Sequence, residues 1–342
     1  MNMGSSNRPL ALTLGDPAGI GPDITLLAWQ AREHAAIPPF VFLGDPDLLV
    51  DRAKALGLPL KIAAVDDMRS ASTLFADALP VLPIRLPDAV IPGQPDIACG
   101  RAVQQSIEDA VRLVTSGEAS AIVTNPVSKA MLYRGGFGFP GHTEYLAALA
   151  STDGRRVHPV MMLVGDDLRV VPVTIHIPLK DVPAALSKDL ILATIEITAR
   201  DLGRFFGIAH PRIAISGLNP HAGEDGSLGL EELDIVIPAI EAARDKGLDV
   251  TGPHSADTLF HEGARSGYDA AVTMYHDQAL IPIKTLAFDT GVNVTLGLPF
   301  VRTSPDHGTA FALAGTGTAS PNSLIAALRL AAAMSSMAAR SA

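Results

Sequence analysis

Three histidines each follow an apolar run: His176 after VPVTI, His221 after IAISGLNP and His276 after AAVTMY. Neutral imidazole is a common ligand for zinc and related divalent ions. Three of them, drawn from separate segments, can hold an ion and still leave coordination positions open, as a catalytic site requires. Carboxylates stand nearby in sequence, Asp277 beside His276 and Asp257 in GPHSADTLF. Either can accept the second ring N–H of a ligating imidazole, or ligate directly. Spacing alone leaves another reading open, in which these are unrelated histidines with satisfied hydrogen bonds.

Downstream of His276 the chain presents Lys284, Asn293 and Arg302, in IPIKTLAF, GVNVTL and LPFVRTSP. Arginine offers a planar fork for carboxylate or phosphate, and lysine a point charge. Their apolar and Gly/Pro-rich surroundings argue against ordinary solvated surface residues. In FPGHTEYLA, His142 and Thr143 open a predicted helix, with Thr143 in the N-cap position. The free N–H groups of such a start form an anion site, although capping alone also explains the threonine.

Two glycine loops complete the set. GDPAGIGPDI follows the first apolar run and opens a helix, but is neither GxGxxG nor a Walker A loop. A phosphate cradle and tight packing of turn on helix are equal readings of it. DHGTAFALAGTGTASPNSL places His307 and Gly308 ahead of a glycine-rich loop and a long alanine-rich helix.

The elements that must position these residues are short apolar runs alternating with helical patterns. The runs lie at 9–15, 39–45, 120–126, 160–166, 168–176, 212–220, 269–277 and 292–299, and the helical stretches at 99–116, 188–206, 230–246 and 321–339. Uninterrupted Val/Ile/Leu runs ending in Gly, Asp or Asn predict a largely parallel α/β architecture. In such folds ligands bind beyond the carboxyl ends of the strands. Asp16, Asn125, His176, Asn219, His221, His276 and Asp277 all fall at those ends.

Composition narrows the function classes. With 342 residues the chain is long enough for two domains, at roughly 100–200 residues each. A content of 48% hydrophobic and 18% charged residues excludes disorder. The net charge of −10 argues against a nucleic-acid surface, and means that an anionic substrate needs a local cluster of donors. No apolar stretch approaches the ~20 residues of a membrane span, and no signal-peptide core is present. One cysteine, Cys99, rules out an intrachain disulfide framework and fits a reducing cytosol. The expectation is a cytoplasmic protein with neither a nucleic-acid nor a membrane partner.

The motifs GDPAGIGPDI, VTNPVSK, GHTEYLA, GLNPHAGEDG, ADTLF, MYHDQALIPIK, GVNVTLGLPFVRTSPDHGTA and LAGTGTASPNSL, in that order, resemble the 4-hydroxythreonine-4-phosphate dehydrogenase family of pyridoxal 5′-phosphate (vitamin B6) biosynthesis. The resemblance runs from about residue 9 to 330. It implies substrate contacts at His142, Thr143, Lys284, Asn293 and Arg302, and metal ligands at His176, His221 and His276. Lys284, Asp277 and Asp257 form the expected catalytic set. The fold implied is two α/β/α domains around a cleft, as in isocitrate and isopropylmalate dehydrogenases. Residues 1–130 with 300–342 would form a first α/β domain carrying the cofactor loop, and 131–299 a second carrying the metal and dimer-interface site.

The same resemblance implies a homodimer whose partner chain completes each active site. It implies NAD or NADP as cofactor and one divalent ion, Zn, Mg or Co, per site. His307, Gly308, Thr309, Ser320 and Asn322 are the expected cofactor contacts, with Ser320 standing where related cofactor loops carry asparagine. The chemistry expected is oxidation of the hydroxyl β to the substrate carboxylate, followed by loss of CO2 from the β-keto acid, with the metal as Lewis acid. Related enzymes acting on threonate or erythronate 4-phosphate, or on aromatic cis-dihydrodiol acids, remain alternatives. A non-catalytic small-anion binding protein and an acyltransferase are the readings from other classes.

Overall fold

The computed structural model describes residues 8–134, 136, 138–139, 141–151 and 157–341. The chain forms two compact units, one of Met1–Pro159 with Leu298–Arg340 and one of Val160–Gly297. Residues 131–159 thus cluster with the first unit.

The first unit opens with β1 (Leu10–Thr13), α1 (Gly21–Gln30), β2 (Phe40–Gly44), α2 (Pro46–Ala55), β3 (Ile62–Ala64) and α3 (Met68–Leu74). It continues through β4 (Leu79–Pro83), α4 (Gly100–Thr115), β5 (Ile122–Val123), α5 (Lys129–Arg134) and α6 (His142–Ala150). The second unit contains β6 (Val160–Gly165), β7 (Leu168–Pro172), α7 (Val182–Ala185), α8 (Lys188–Phe206), β8 (Arg212–Ser216) and α9 (Ile237–Asp245). After these come β9 (Asp249–His254), α10 (Glu262–Arg265), β10 (Ala270–Thr273), α11 (His276–Leu286) and β11 (Val292–Leu296). The chain then returns to the first unit with β12 (Arg302–Pro305) and α12 (Asn322–Ser341).

In the first unit the strand order is β3-β4-β2-β1-β5-β12, parallel throughout. Its central strands are apolar because both faces are covered: β1 and β2 are buried at every position. Each fully buried Leu, Ile or Phe contributes about 1.5–3 kcal/mol. Helix α4 packs Val103, Ile107, Ala110 and Val111 inward. Its one buried hydroxyl, Ser106, donates to the carbonyl of Leu43 (2.7 Å) and accepts from the N–H of Leu14 (2.9 Å). That serine satisfies two backbone groups where β1 and β2 end. Helix α12 is long and apolar enough to cross a membrane, but its Leu324, Ala327, Leu328 and Ala331 are fully buried, as in a core helix.

In the second unit the order is β11-β6-β7-β10-β8-β9. Strands β7, β10, β8 and β9 are parallel, whereas β6 runs antiparallel to both β7 and β11. Here the sheet departs from the parallel arrangement expected. The cause is local: Asp166 and Asp167 close a two-residue hairpin, with Asp166 at φ 43°. Helix α8 is bounded by Ser187, whose hydroxyl accepts from the N–H of Leu190, and by Gly207 at φ 71°.

Candidate functional site: an imidazole pair and an anion pocket

The second unit brings His176 and His276 together, their rings tilted by 48° with centroids 5.7 Å apart. Beyond its end at Pro172, β7 stays bonded to the chain leaving β10. Val173 N–H donates to the Thr273 carbonyl (2.8 Å), and the Thr174 N–H and hydroxyl both reach the Met274 carbonyl (3.2 and 2.8 Å). These bonds carry the two segments side by side up to their histidines. Strand β10 ends at Thr273, so His276 is the first residue of α11 rather than the last of a strand. The two rings line a cavity of about 280 Å³ with Leu179, Val182, Tyr275 and Asp277.

His276 Nδ1 lies 2.7 Å from Asp277 Oδ1. A carboxylate there takes the Nδ1–H and leaves the Nε2 lone pair for a ligand. Two imidazoles on one tetrahedral ion would place their centroids about 5 Å apart from ordinary bond lengths. The pair therefore fits a divalent ion in donor type and spacing. His221 is not part of this pair. Among the described residues no three His, Cys, Asp or Glu side chains of one chain converge tightly enough to hold a metal.

His221 belongs to an exposed turn of unusual backbone. Residues 221–225 all lie in the left-handed region, at φ 52°, 52°, 79°, 42° and 52°. Four of the five are not glycine, and a left-handed helical residue costs roughly 1–2 kcal/mol. The turn lies close against the end of β8: a Cβ on Gly217 would sit 2.7 Å from Ala222 Cα. Asp257 is near enough to feel the turn. Its carboxyl is held below the usual range by the Ser255 hydroxyl, 2.6 Å from Oδ1, and further by the field of His221.

Gln278, on the first turn of α11, ties these segments together. Its Oε1 accepts from the Met274 N–H (2.9 Å) and the Ser216 hydroxyl (3.2 Å), and its Nε2 donates to the Gly217 carbonyl (2.9 Å). The ends of β8 and β10 are thereby held in register beneath both histidine segments. Nothing in the sequence singles this residue out apart from its place in MYHDQ. Lys284 lies on the same helix as His276, about 12 Å of rise further on, its Nζ 5.6 Å from the Phe288 ring centroid. Asn293 is half-buried on β11, opposite Leu163.

In the first unit, His142 opens α6, capped by the backbone of Gly141. Thr143 is therefore inside the helix and not its N-cap, which corrects the sequence expectation. The His142 side chain is half-buried with its Nε2 shielded from solvent, and among the described residues that nitrogen has no hydrogen-bond partner. Burial, reinforced by the positive charges of Arg302 and Lys129, pushes its pKa down to about 3. Arg302, on β12, is 5% exposed, and burial lowers its guanidinium to about 10. Its Nη2 donates to the Thr124 hydroxyl at 2.6 Å. An imidazole nitrogen with no partner among the described residues, beside two cations and a helix start, could hold an anion.

The glycine loops meet in the same unit. Gly315 N–H donates to Asp23 Oδ1 (2.7 Å), and Ile20 N–H to the Thr309 carbonyl (3.0 Å). Asp23 is fully buried against Arg52, which also donates to the carbonyls of Gly19 and Pro17, both at 3.1 Å. Burial raises the Asp23 carboxyl, and Arg52 and the Gly315 N–H partly restore it. GDPAGIGPD is thus a packed turn that anchors the 307–321 loop. Gly15, at φ 70°, leaves no room for a Cβ, which would lie 2.6 Å from the Cβ of Asn125. Asn125 donates to the Thr13 carbonyl and the Thr25 hydroxyl, both at 3.0 Å, and Asp16 accepts from the Ala18 N–H (3.1 Å), so both serve this packing. His307 Nδ1 lies 3.1 Å from the Gly308 carbonyl, and Ser320 Oγ faces the Asn322 N–H at the start of α12 (3.4 Å).

A family model described as pyridoxal phosphate biosynthetic protein PdxA matches residues 35–331. The chain belongs to the PdxA family. It is 58% identical over 332 residues, 96% of its own length and 95% of the relative's, to a 4-hydroxythreonine-4-phosphate dehydrogenase of Methylorubrum extorquens. A relative of the same name from Bradyrhizobium diazoefficiens is 57% identical over 96% of this chain and 97% of its own. Among solved structures, a 4-hydroxythreonine-4-phosphate dehydrogenase of Klebsiella pneumoniae superposes with a TM-score of 0.84 at 37% identity, covering 96% of this chain and 99% of that one. A terephthalate 1,2-cis-dihydrodiol dehydrogenase of Burkholderia xenovorans is more distant, with a TM-score of 0.64 at 29% identity over 95% and 98%. PdxA enzymes are metal-requiring, nicotinamide-linked oxidoreductases that oxidise and decarboxylate their substrate.

Proposed function

We propose that this PdxA chain oxidises 4-hydroxy-L-threonine 4-phosphate and decarboxylates the product to 3-amino-2-oxopropyl phosphate, in pyridoxal 5′-phosphate biosynthesis. The observation that carries the substrate is the 58% identity, over 96% of the chain, to a relative named for it. His176 and His276 would hold the divalent ion with His221, and Asp277 fixes the tautomer of His276. When bound, that ion supplies Lewis acidity at the reacting oxygens. Lys284 adds positive charge or moves a proton at the same oxygens, and Asn293 orients the substrate by hydrogen bonding. His142, Thr143 and Arg302 bind the anionic end, where a neutral imidazole can donate to or accept from a phosphate oxygen. Asp257, whose carboxyl feels the field of His221, is read as a catalytic or orienting neighbour of that ligand.

His307, Gly308, Thr309, Ser320 and Asn322 would contact the dinucleotide. Between NAD and NADP we favour NAD. A cavity of about 420 Å³ beside this loop is lined by four carboxylates, Asp45, Asp47, Asp51 and Asp88, against the guanidiniums of Arg52 and Arg85. Pro92, in the same lining, would contact any side chain placed at Gly315. The negative balance there disfavours a 2′-phosphate.

The active form is read as a cytoplasmic homodimer in which the partner covers the metal site. His176 and His221 are exposed, and the same unit exposes Leu179 (67%), Ile281 (65%) and Phe288 (74%). Apolar exposure of that kind marks an interface. On this reading the metal and dimer-interface site belongs to the second unit and the cofactor loop to the first.

The test is the purified protein with NAD or NADP and Zn, Mg or Co. It is offered 4-hydroxythreonine phosphate, threonate or erythronate 4-phosphate, or an aromatic dihydrodiol acid, and reduced nucleotide and CO2 are followed. Turnover of the dihydrodiol alone would overturn the substrate assignment.

A further inference from the structure

The left-handed turn that carries His221 is intrinsically unfavourable, so something else must hold it. The first two residues of the segment, Leu218 and Asn219, direct their N–H groups at one atom, Oε1 of Glu232, at 2.7 and 2.8 Å. The other oxygen, Oε2, accepts the Asn219 side-chain amide at 2.9 Å. Asn219 in turn accepts the Ala222 N–H at its carbonyl (3.1 Å), inside the left-handed stretch. Glu232 is only 2% exposed, and an acidic side chain is almost never so buried without dedicated partners. It opens a short π-helical turn, Glu232–Val236, a backbone irregularity found most often at functional sites. The fit is close: a Cβ on Gly223 would lie 2.5 Å from Oε2, and one on Gly217 would lie 3.0 Å from Oε1.

We propose that Glu232 is a positioning residue for metal binding, its buried carboxylate clamping the 218–225 turn so that His221 is presented in one fixed orientation. The inference rests on His221 being a ligand, as proposed above. Glu232 itself touches neither metal nor substrate. Its role is to hold the chain in a left-handed conformation that free peptide would leave, which lowers the ordering cost of binding the ion. Replacing the carboxylate by an amide keeps the volume but turns an acceptor into a donor facing an N–H.

Cobalt(II) titration of the full-length protein, read by the visible spectrum of the bound ion, tests this without reference to turnover. Glu232→Gln is expected to raise the Co2+ dissociation constant ten- to a hundred-fold, the usual effect of losing a group that orients a ligand, with an unchanged near-UV circular dichroism spectrum. His221→Ala is titrated alongside. If His221→Ala weakens cobalt binding and Glu232→Gln does not, the positioning role is wrong. If His221→Ala also binds cobalt as wild type does, the ligand assignment has failed first. Should Glu232→Gln not fold, Asn219→Ala removes the side-chain link to Glu232 Oε2, together with one to Glu231 (2.7 Å), and is read in the same titration against Glu231→Ala, which removes the second link alone. A several-fold weakening beyond that of Glu231→Ala supports the clamp, and wild-type affinity overturns it.

Discussion

His276 Nδ1 and Asp277 Oδ1 are 2.7 Å apart, although the two residues are sequence neighbours and begin a helix. The contact gives the imidazole a defined tautomer before any ion arrives. Asp277→Asn preserves the shape but removes the charge that favours Nδ1–H. Metal affinity is expected to fall about tenfold or more, whereas His276→Ala abolishes turnover. Metal titration and turnover of both variants, with thermal unfolding as a control, check this pair.

His142 gives a pH signature. Its pKa is depressed from 6.5 to about 3 in the folded chain, so the neutral ring contributes stability fully above pH 6.5. Below that, the unfolded chain takes up a proton that the folded chain refuses, and stability falls by roughly 1.4 kcal/mol per pH unit until about pH 3. His142→Gln lacks this proton. Urea unfolding at pH 5 and pH 7 should show a smaller loss in the variant, by about 2 kcal/mol. Equal losses in both proteins would contradict the buried, neutral assignment.

Lys284 and Arg302 separate in their kinetics and in their stability. Lys284→Ala is expected to lower kcat with little effect on folding, because the side chain lies on the last turn of α11. Arg302→Ala should chiefly raise KM for substrate. Arg302 is also buried and bonded to Thr124, so the variant leaves a space and a hydroxyl to be satisfied elsewhere, at a cost of about 1–3 kcal/mol. Steady-state kinetics combined with denaturant midpoints distinguish the two.

The Asp23–Arg52 pair anchors the cofactor loop through the Gly315 N–H. Asp23→Ala strands a buried guanidinium and is expected to destabilise the protein by about 3–5 kcal/mol. Asp23→Asn is milder and keeps an acceptor for Gly315. It should raise KM for the dinucleotide more than KM for the phosphorylated substrate. An unchanged dinucleotide KM in a folded Asp23→Asn protein would show that the anchor does not reach the cofactor.

Chelation gives a fifth check, on the reading as a whole. Exhaustive EDTA treatment should remove turnover, and added zinc, magnesium or cobalt should restore it. Dinucleotide binding measured by calorimetry should survive chelation, because the loop and its anchor lie in the first unit. Turnover that persists in the stripped protein would exclude a role for the imidazole pair.

The eight apolar runs of the sequence all contain strands, because strands buried on both faces need continuous apolar residues and the chain shows them plainly. Strand β12 is different. RTSP is polar at three of four positions yet buried at all four, and only its neighbours in space reveal it. Strand β9, DVTGPH, is likewise masked by its Gly-Pro pair. At the site, His176, His276 and Asp277 stand out because each polar group interrupts an apolar context. Gln278, Glu232 and the Asp23–Arg52 pair do not, since their importance lies in the distant backbone groups they meet, such as Gly217, Leu218 and Gly315. Hydrogen-bond partners at such separations leave no periodic trace.

The return of the chain to its first unit through β12 and α12 sets an order on synthesis. Strand β5 lies between β1 and β12, and the partner on one side is made about 180 residues after β5 itself. Until Arg302–Pro305 leaves the ribosome, β5 is an exposed edge, and the face covered by Leu324, Leu328 and Ala331 is bare. Val160–Gly297, by contrast, is contiguous and is complete before those last strands and helices exist. A nascent chain therefore carries a finished second unit and an open first one, which is the interval in which a chaperone has an edge to bind.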